Sequence, residues 1–191
     1  MHVNSMTESL PNIHQKVEEQ LLIQEARRDI KAFDKLYQRY LSQVVRYLYS
    51  RLGNMGDAED VAAQAFLAAY ESFSSFKKEG FFAAWLFAIA RNKAVDHLRR
   101  NRLFEQLDEV NLADPAVTPE KKLESSQESA SISRLISALP DRDQELLRLR
   151  YVADLSFPEI AVLLHRRTDA VKKRTYRLLA KIRTQMEVGN E

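Results

Sequence analysis

Residues 81–102, FFAAWLFAIARNKAVDHLRRNR, keep one helical period from end to end. Phe82, Trp85, Leu86 and Ile89 fall at i, i+3, i+4 and i+7, so they share one face and predict a packed helix. The second half is crowded with Arg91, Asn92, Lys93, Asp96, His97, Arg99, Arg100 and Arg102. Such a helix is anchored by its apolar half and offers its basic half to an anion, for which a nucleic-acid backbone is the commonest large candidate. The plainer reading is a basic helix end that complements the macrodipole, with Trp85 in the core.

The same periodicity runs through the rest of the chain. Phe33, Leu36, Tyr37, Tyr40, Leu41, Val44, Val45 and Leu48 form one stripe, and Val61, Ala65, Phe66, Ala69 and Phe73 another. Only four glycines occur, good helix formers dominate, and no segment alternates as a strand would. The expected fold is all-α. There is no cysteine, hence no disulfide or thiolate metal site, and the four scattered histidines have no metal-ligand spacing. No metal or cofactor is expected. The N-terminus lacks the apolar core of a signal peptide and no apolar run could span a bilayer, so a soluble, cytoplasmic protein without membrane insertion is expected.

Charge is segregated although the formal total is only +2. Acidic residues gather at 105–128, between the basic end of 81–102 and a second basic patch at 166–183. The expected order is a disordered extension at 1–16, a helical domain at 17–102, a flexible acidic linker at 103–129 and a second domain at 130–191. The linker carries Pro115 and Pro119 and lacks apolar periodicity. The two domains are therefore expected to pack on each other only weakly. Asp29, Asp57, Asp141 and Thr168 are read as helix caps, and Ser156 with Glu159 as a capping box.

In the second domain a short helix, a tight break and a basic helix form a helix-turn-helix. Val171, Leu178, Leu179 and Ile182 face inward, leaving Lys172, Lys173, Tyr176, Arg177 and Lys181 outside. A helical hairpin with a solvated cationic face is the plain alternative.

Taken in order, these segments resemble the bacterial alternative sigma factors of the extracytoplasmic-function (ECF) group. DAEDVAAQAFLAAY resembles the conserved-region-two helix that docks on RNA polymerase, and FFAAWLFAIARNKAVDHLRR the helix that handles the promoter −10 element. LISALPDRDQELLRLRYVADLSFPEIAVLL and VKKRTYRLLAKIR resemble region four, which reads the −35 element. The resemblance implies a factor that binds core RNA polymerase and promoter DNA, performs no catalysis, and in many relatives is held by an anti-sigma factor. By resemblance, Asp57, Asp60, Gln64 and Phe66 meet the polymerase. The loop at 74–80 is expected to form a pocket for an unstacked base, with Phe76, Lys77 and Lys78 offering stacking and charge. Arg91, Asn92, His97, Arg99 and Arg100 would line the path of the non-template strand, the last two as phosphate contacts. At the −35 element, Lys172, Lys173, Arg174, Tyr176 and Arg177 are the contacts expected on the helix, and Arg166 and Arg167, in the turn, would touch phosphate. Relatives usually carry Gly where this chain has His165, and Arg167, Ala170 and Leu178 also depart from the pattern.

Three other readings compete. A helix-turn-helix regulator that does not act on polymerase would need a ligand or receiver domain, and the N-terminal bundle shows no ligand signature. A helical adaptor leaves both basic patches unexplained. An enzyme lacks any phosphate loop, nucleophile motif or metal cluster.

Overall fold

The computed structural model describes residues 13–77, 81–108 and 127–188. Every regular element among them is helical. The first domain holds α1 (Ile13–Arg28), α2 (Phe33–Leu52), α3 (Met55–Ser72) and α4 (Phe82–Asp108). The second holds α5 (Gln127–Ser137), α6 (Asp141–Leu147), α7 (Phe157–Leu163) and α8 (Thr168–Val188). Helix α1 begins before Val17, and α4 runs past Arg102, where the sequence suggested a linker. Its charged continuation has no helix breaker before Asp108, so backbone hydrogen bonding carries it onward. Residues 1–12 and 109–126, where disorder and a flexible linker were expected, lie outside the described residues.

Helix α3 packs between α2 and α4. Its inner stripe is built from Ala58, Ala62, Ala65 and Ala69, short side chains that let the neighbouring axes come close. The α2 stripe is buried at Phe33, Leu36, Tyr40, Val44 and Leu48, with Tyr37, Leu41 and Val45 half-buried against it. At one end an aromatic cluster closes the bundle. Phe33 meets Phe73 edge-on at 5.4 Å, and Phe76 lies 5.1 Å from Trp85 and 5.6 Å from Phe82. A short 3-10 turn, Phe73–Ser75, brings the two phenylalanines into it.

Several caps sit where a different polar residue takes the role. Asn54, not Asp57, caps α3: its side chain accepts the backbone N–H of Asp57, which is already in the first turn. Gly53 closes α2 in the left-handed conformation at φ 76°. Asp29 caps a 3-10 turn, Ile30–Ala32, that leads into α2. Pro140 takes the position before α6, so Asp141 is its first residue, and Thr168 is likewise the first residue of α8. The Ser156–Glu159 capping box forms as read, with the Ser156 N–H donating to Glu159 Oε2 at 2.7 Å.

The two domains, expected to pack only weakly on each other, touch along one boundary. Helix α7 packs against α4, and a π turn after α6 (Arg148–Val152) packs against α2. Glu145 of α6 is buried there, 5% exposed, and its carboxylate accepts the Tyr47 hydroxyl at 2.6 Å. One carboxylate among the charged and polar residues 141–145 has no sequence signature of its own, because its partners come from another domain.

Candidate nucleic-acid and polymerase interfaces

The helix-turn-helix is set by the end of α7. The N–H of Arg166 donates to Ala161 O at 2.9 Å and that of His165 to Val162 O at 3.3 Å. This pair of bonds is a Schellman motif, which needs a left-handed residue, and His165 supplies it at φ 53°. His165 thus does what glycine does in the resembling sequences. The turn leaves Arg166 and Arg167 exposed just before α8.

On α8, Val171, Thr175, Leu178 and Ile182 are buried, and Thr175 returns its hydroxyl to Val171 O at 3.0 Å. Lys173, Tyr176 and Arg177 are exposed and Lys172 is half-buried. Tyr176 rests edge-on against Phe157 at 6.0 Å, which fixes its ring at the surface. Arg174 is different from its neighbours. Its Nε donates to Asp143 Oδ1 at 2.8 Å and its second nitrogen reaches Oδ2, so α8 is tied to α6 by a forked ion pair. Half its side chain remains open, while Nε and Nη2 are taken up by Asp143 inside the domain. It is a strut between helices, with the rest of its guanidinium at the surface where a DNA contact was expected.

In the first domain, Asp60 and Gln64 are exposed on α3 one turn apart. Phe66 is not: it is 4% exposed and packs edge-on against Tyr37 at 4.7 Å. The contact expected from Phe66 is therefore unavailable to a partner. Leu67, 58% exposed, shares their face, at i+7 from Asp60 and i+3 from Gln64. Asp57 is half-exposed, and its carboxylate lies 3.5 Å from His97 Nε2 on α4.

Phe76 is likewise a correction. It is 3% exposed within the aromatic cluster and offers no stacking face. Its carbonyl accepts Arg27 Nη2 at 3.0 Å, so α1 pins the segment. Lys77 is exposed, and Lys78 lies outside the described residues. Beside them is an open hollow of about 810 Å³, lined among others by Arg27, Arg28, Tyr70, Ser74 and Lys77. The arginines of α1 were not read as site residues, because an exposed Arg pair at a helix C-terminus looks like ordinary dipole compensation.

Along α4, Asn92, Arg99 and Arg100 are exposed at i, i+7 and i+8 and form one stripe. Arg99 has Asp96 at 3.6 Å, a solvated pair worth little that leaves most of its side chain exposed. His97 is turned aside, with Asn101 Nδ2 at 3.1 Å from the same nitrogen that faces Asp57. Arg91 points across the domain boundary, its Nε 3.4 Å from Glu145 Oε1. Among the described residues no group of acidic or histidine side chains could hold a metal, and no helix is long and apolar enough to cross a membrane.

The profile of sigma-70 region 2 matches residues 36–104, and that of sigma-70 region 4 matches residues 129–182. The ECF RNA polymerase sigma factor SigW of Bacillus subtilis strain 168 is 31% identical over 169 residues, 83% of this chain and 90% of that protein. Among solved structures, CnrH in complex with the cytosolic domain of CnrY superposes with a TM-score of 0.63 at 23% identity, covering 88% of this chain and 97% of that one. The sigma factor RpoE of Bartonella quintana, in complex with the anti-sigma factor NepR, gives 0.61 at 21% identity, covering 83% and 98%. These two share the fold. The region-2 match accounts for the N-terminal bundle that a lone helix-turn-helix regulator would leave unexplained, and with both regions present in order the chain belongs to the sigma-70 family, as a sigma factor of the ECF group.

Proposed function

We propose that this sigma factor, which binds core RNA polymerase and directs promoter recognition, divides the work among three surfaces. Asp60 and Gln64, with Leu67 beside them, form the polymerase-binding face of α3. Its carboxylates suit a basic partner, and Leu67 adds apolar area where charge alone would be screened. Asp57, half-exposed in the first turn of α3, extends that face.

Asn92, Arg99, Arg100 and Lys77 carry the −10 strand, the arginines as phosphate contacts. An unstacked base enters the hollow beside residues 73–77, where Arg27, Arg28 and Tyr70 replace Phe76 as the groups it meets. Capture of that base favours the melted duplex over the closed one.

Helix α8 lies in the major groove at the −35 element. Lys173, Tyr176 and Arg177 reach base edges and backbone, Lys172 follows at the margin, and Arg166 and Arg167 hold phosphate. What carries this reading is the exposed row of Lys173, Tyr176 and Arg177, opposite a buried stripe, directly after a Schellman turn. An anti-sigma factor is a third expected partner, since a structural relative is solved with one.

Run-off transcription with core polymerase, followed by start-site mapping, tests the whole. The expected result is initiation at defined sites, lost on Asp60→Arg and redirected by Arg177→Ala. Defined starts that neither change affects would remove these surfaces from the account.

A further inference from the structure

We propose that Asp143 is a positioning residue for promoter binding: it holds the Arg174 guanidinium so that its open edge meets one phosphate at the margin of the −35 groove. Asp143 lies in the first turn of α6, and its side chain is 8% exposed. Both carboxylate oxygens are committed, Oδ1 to Nε of Arg174 at 2.8 Å and Oδ2 to Nη2. The Arg174 side chain is 53% exposed. A guanidinium carries five N–H groups in a rigid plane, so this fork leaves three, both on Nη1 and one on Nη2. Nothing else among the described residues takes them. The edge formed by Nη1 and Nη2 is thus a second fork, of the shape that fits two oxygens of one phosphate.

The place of Arg174 on α8 favours a phosphate over a base. An α-helix about 10–12 Å across fills a major groove about 12 Å wide. Side chains on its outward face then meet base edges, and those on its flanks meet the phosphate walls. Val171, Thr175 and Leu178 are buried, and Lys173, Tyr176 and Arg177 are exposed on the opposite side. Arg174 stands between the two, on the flank nearer α6, where Asp143 takes hold of it. Arg167 and Lys181, seven positions to either side, continue that flank, and both are exposed.

Asp143 and Arg174 together carry no net charge, so charge alone gives the pair little pull on DNA. What the carboxylate supplies is order. An unheld arginine loses much of its rotamer freedom when it is immobilised against a phosphate. Here that loss is met on folding, and the guanidinium is already fixed in one plane. Asp143 is itself held, its backbone N–H donating to Pro140 O at 2.8 Å. This inference rests on the proposed docking of α8 at the −35 element.

The test uses the full chain assembled with core polymerase, on a promoter fragment found by start-site mapping. Asp143→Asn should weaken binding by about three- to tenfold, the cost of ordering one freed side chain, with the −35 preference unchanged. It should do so although it removes a negative charge beside the DNA, which by itself would tighten binding. Arg174→Gln should lower the salt slope by about one, and Asp143→Asn should add nothing in that background. Methylphosphonates replacing single phosphates across the −35 element should reveal one position that weakens the wild type and leaves Arg174→Gln unaffected. Arg174→Lys keeps the charge but cannot fork both ways, so it should lose as much as Asp143→Asn. It decides the matter if the buried variant loses its helicity by circular dichroism. Unchanged or tighter binding in a folded Asp143→Asn, no phosphate that separates Arg174→Gln from the wild type, or wild-type affinity in Arg174→Lys overturns the proposal. Arg177→Ala on the same fragment reads the docking of α8 by itself. If its −35 preference does not shift, the docking reading fails; if it shifts while Asp143→Asn binds as the wild type does, only the positioning role falls.

Discussion

His165 sits at φ 53° in the one turn that sets the angle of the recognition helix. A β-branched side chain at that position meets the full left-handed penalty, on the order of 1–2 kcal/mol. His165→Val should lower the denaturant midpoint of the C-terminal domain accordingly. His165→Gly should leave it near the wild-type value, because relief of backbone strain is offset by the greater freedom of glycine in the unfolded chain. Equal losses in both would place the cost in the imidazole and not in the backbone. At the DNA surface, Arg177→Ala should relax preference at one −35 position, at about 1–3 kcal/mol, and Arg166→Ala should weaken all sequences alike and lower the salt slope by about one. A randomised −35 library read at two salt concentrations separates them. Tyr47 adds a pH dependence. Burial, then the Glu145 carboxylate, pushes its phenol well above the ordinary value. A group raised on folding contributes stability that is whole below its unfolded value of about 10 and is lost as pH climbs beyond it. Tyr47→Phe should remove that alkaline loss while sparing the neutral-pH fold.

At the scale of elements, helix periodicity was the legible part. The stripes on α2, α3 and α4 are buried as their spacing demands, and the Ser156–Glu159 box marks the start of α7. Caps were less legible, since Asn54 and Asp57 are both good capping residues three apart and only the backbone path selects between them. Asn54→Ala should therefore destabilise the first domain by about 1 kcal/mol, and Asp57→Ala by less in a thermal melt. Periodicity also could not say which aromatic residues stay open. Phe66 and Phe76 carry the same side chain a contact would use, yet the bundle consumes both. Leu67 was passed over because exposed leucines are common, and only its place beside Asp60 and Gln64 gives it meaning. On core polymerase, Leu67→Ala should weaken binding and add to the effect of Gln64→Ala, whereas either change alone should leave helicity intact. Wild-type affinity in Leu67→Ala would confine the α3 surface to its polar residues.

At the scale of the whole molecule, the two domains were readable and their contact was not. Tyr47 reads as one more core aromatic and Glu145 as one more charge on a short helix; their meeting depends on an arrangement that no window of sequence contains. The contact is a small cluster around one carboxylate, so its strength should depend on the tether. A short connection holds two modules at an effective concentration on the order of millimolar, and cutting it returns them to the concentration of the solution. Proteolysis is expected first within the Pro-interrupted, acidic residues 109–126. At micromolar concentration the nicked chain should then separate into two folded fragments on a sizing column. Each fragment should keep its helicity by circular dichroism, since each carries its own buried core. A nicked chain that stays together would mean that the interface holds without its tether. The two domains would then form one rigid unit that only a partner's binding energy can separate.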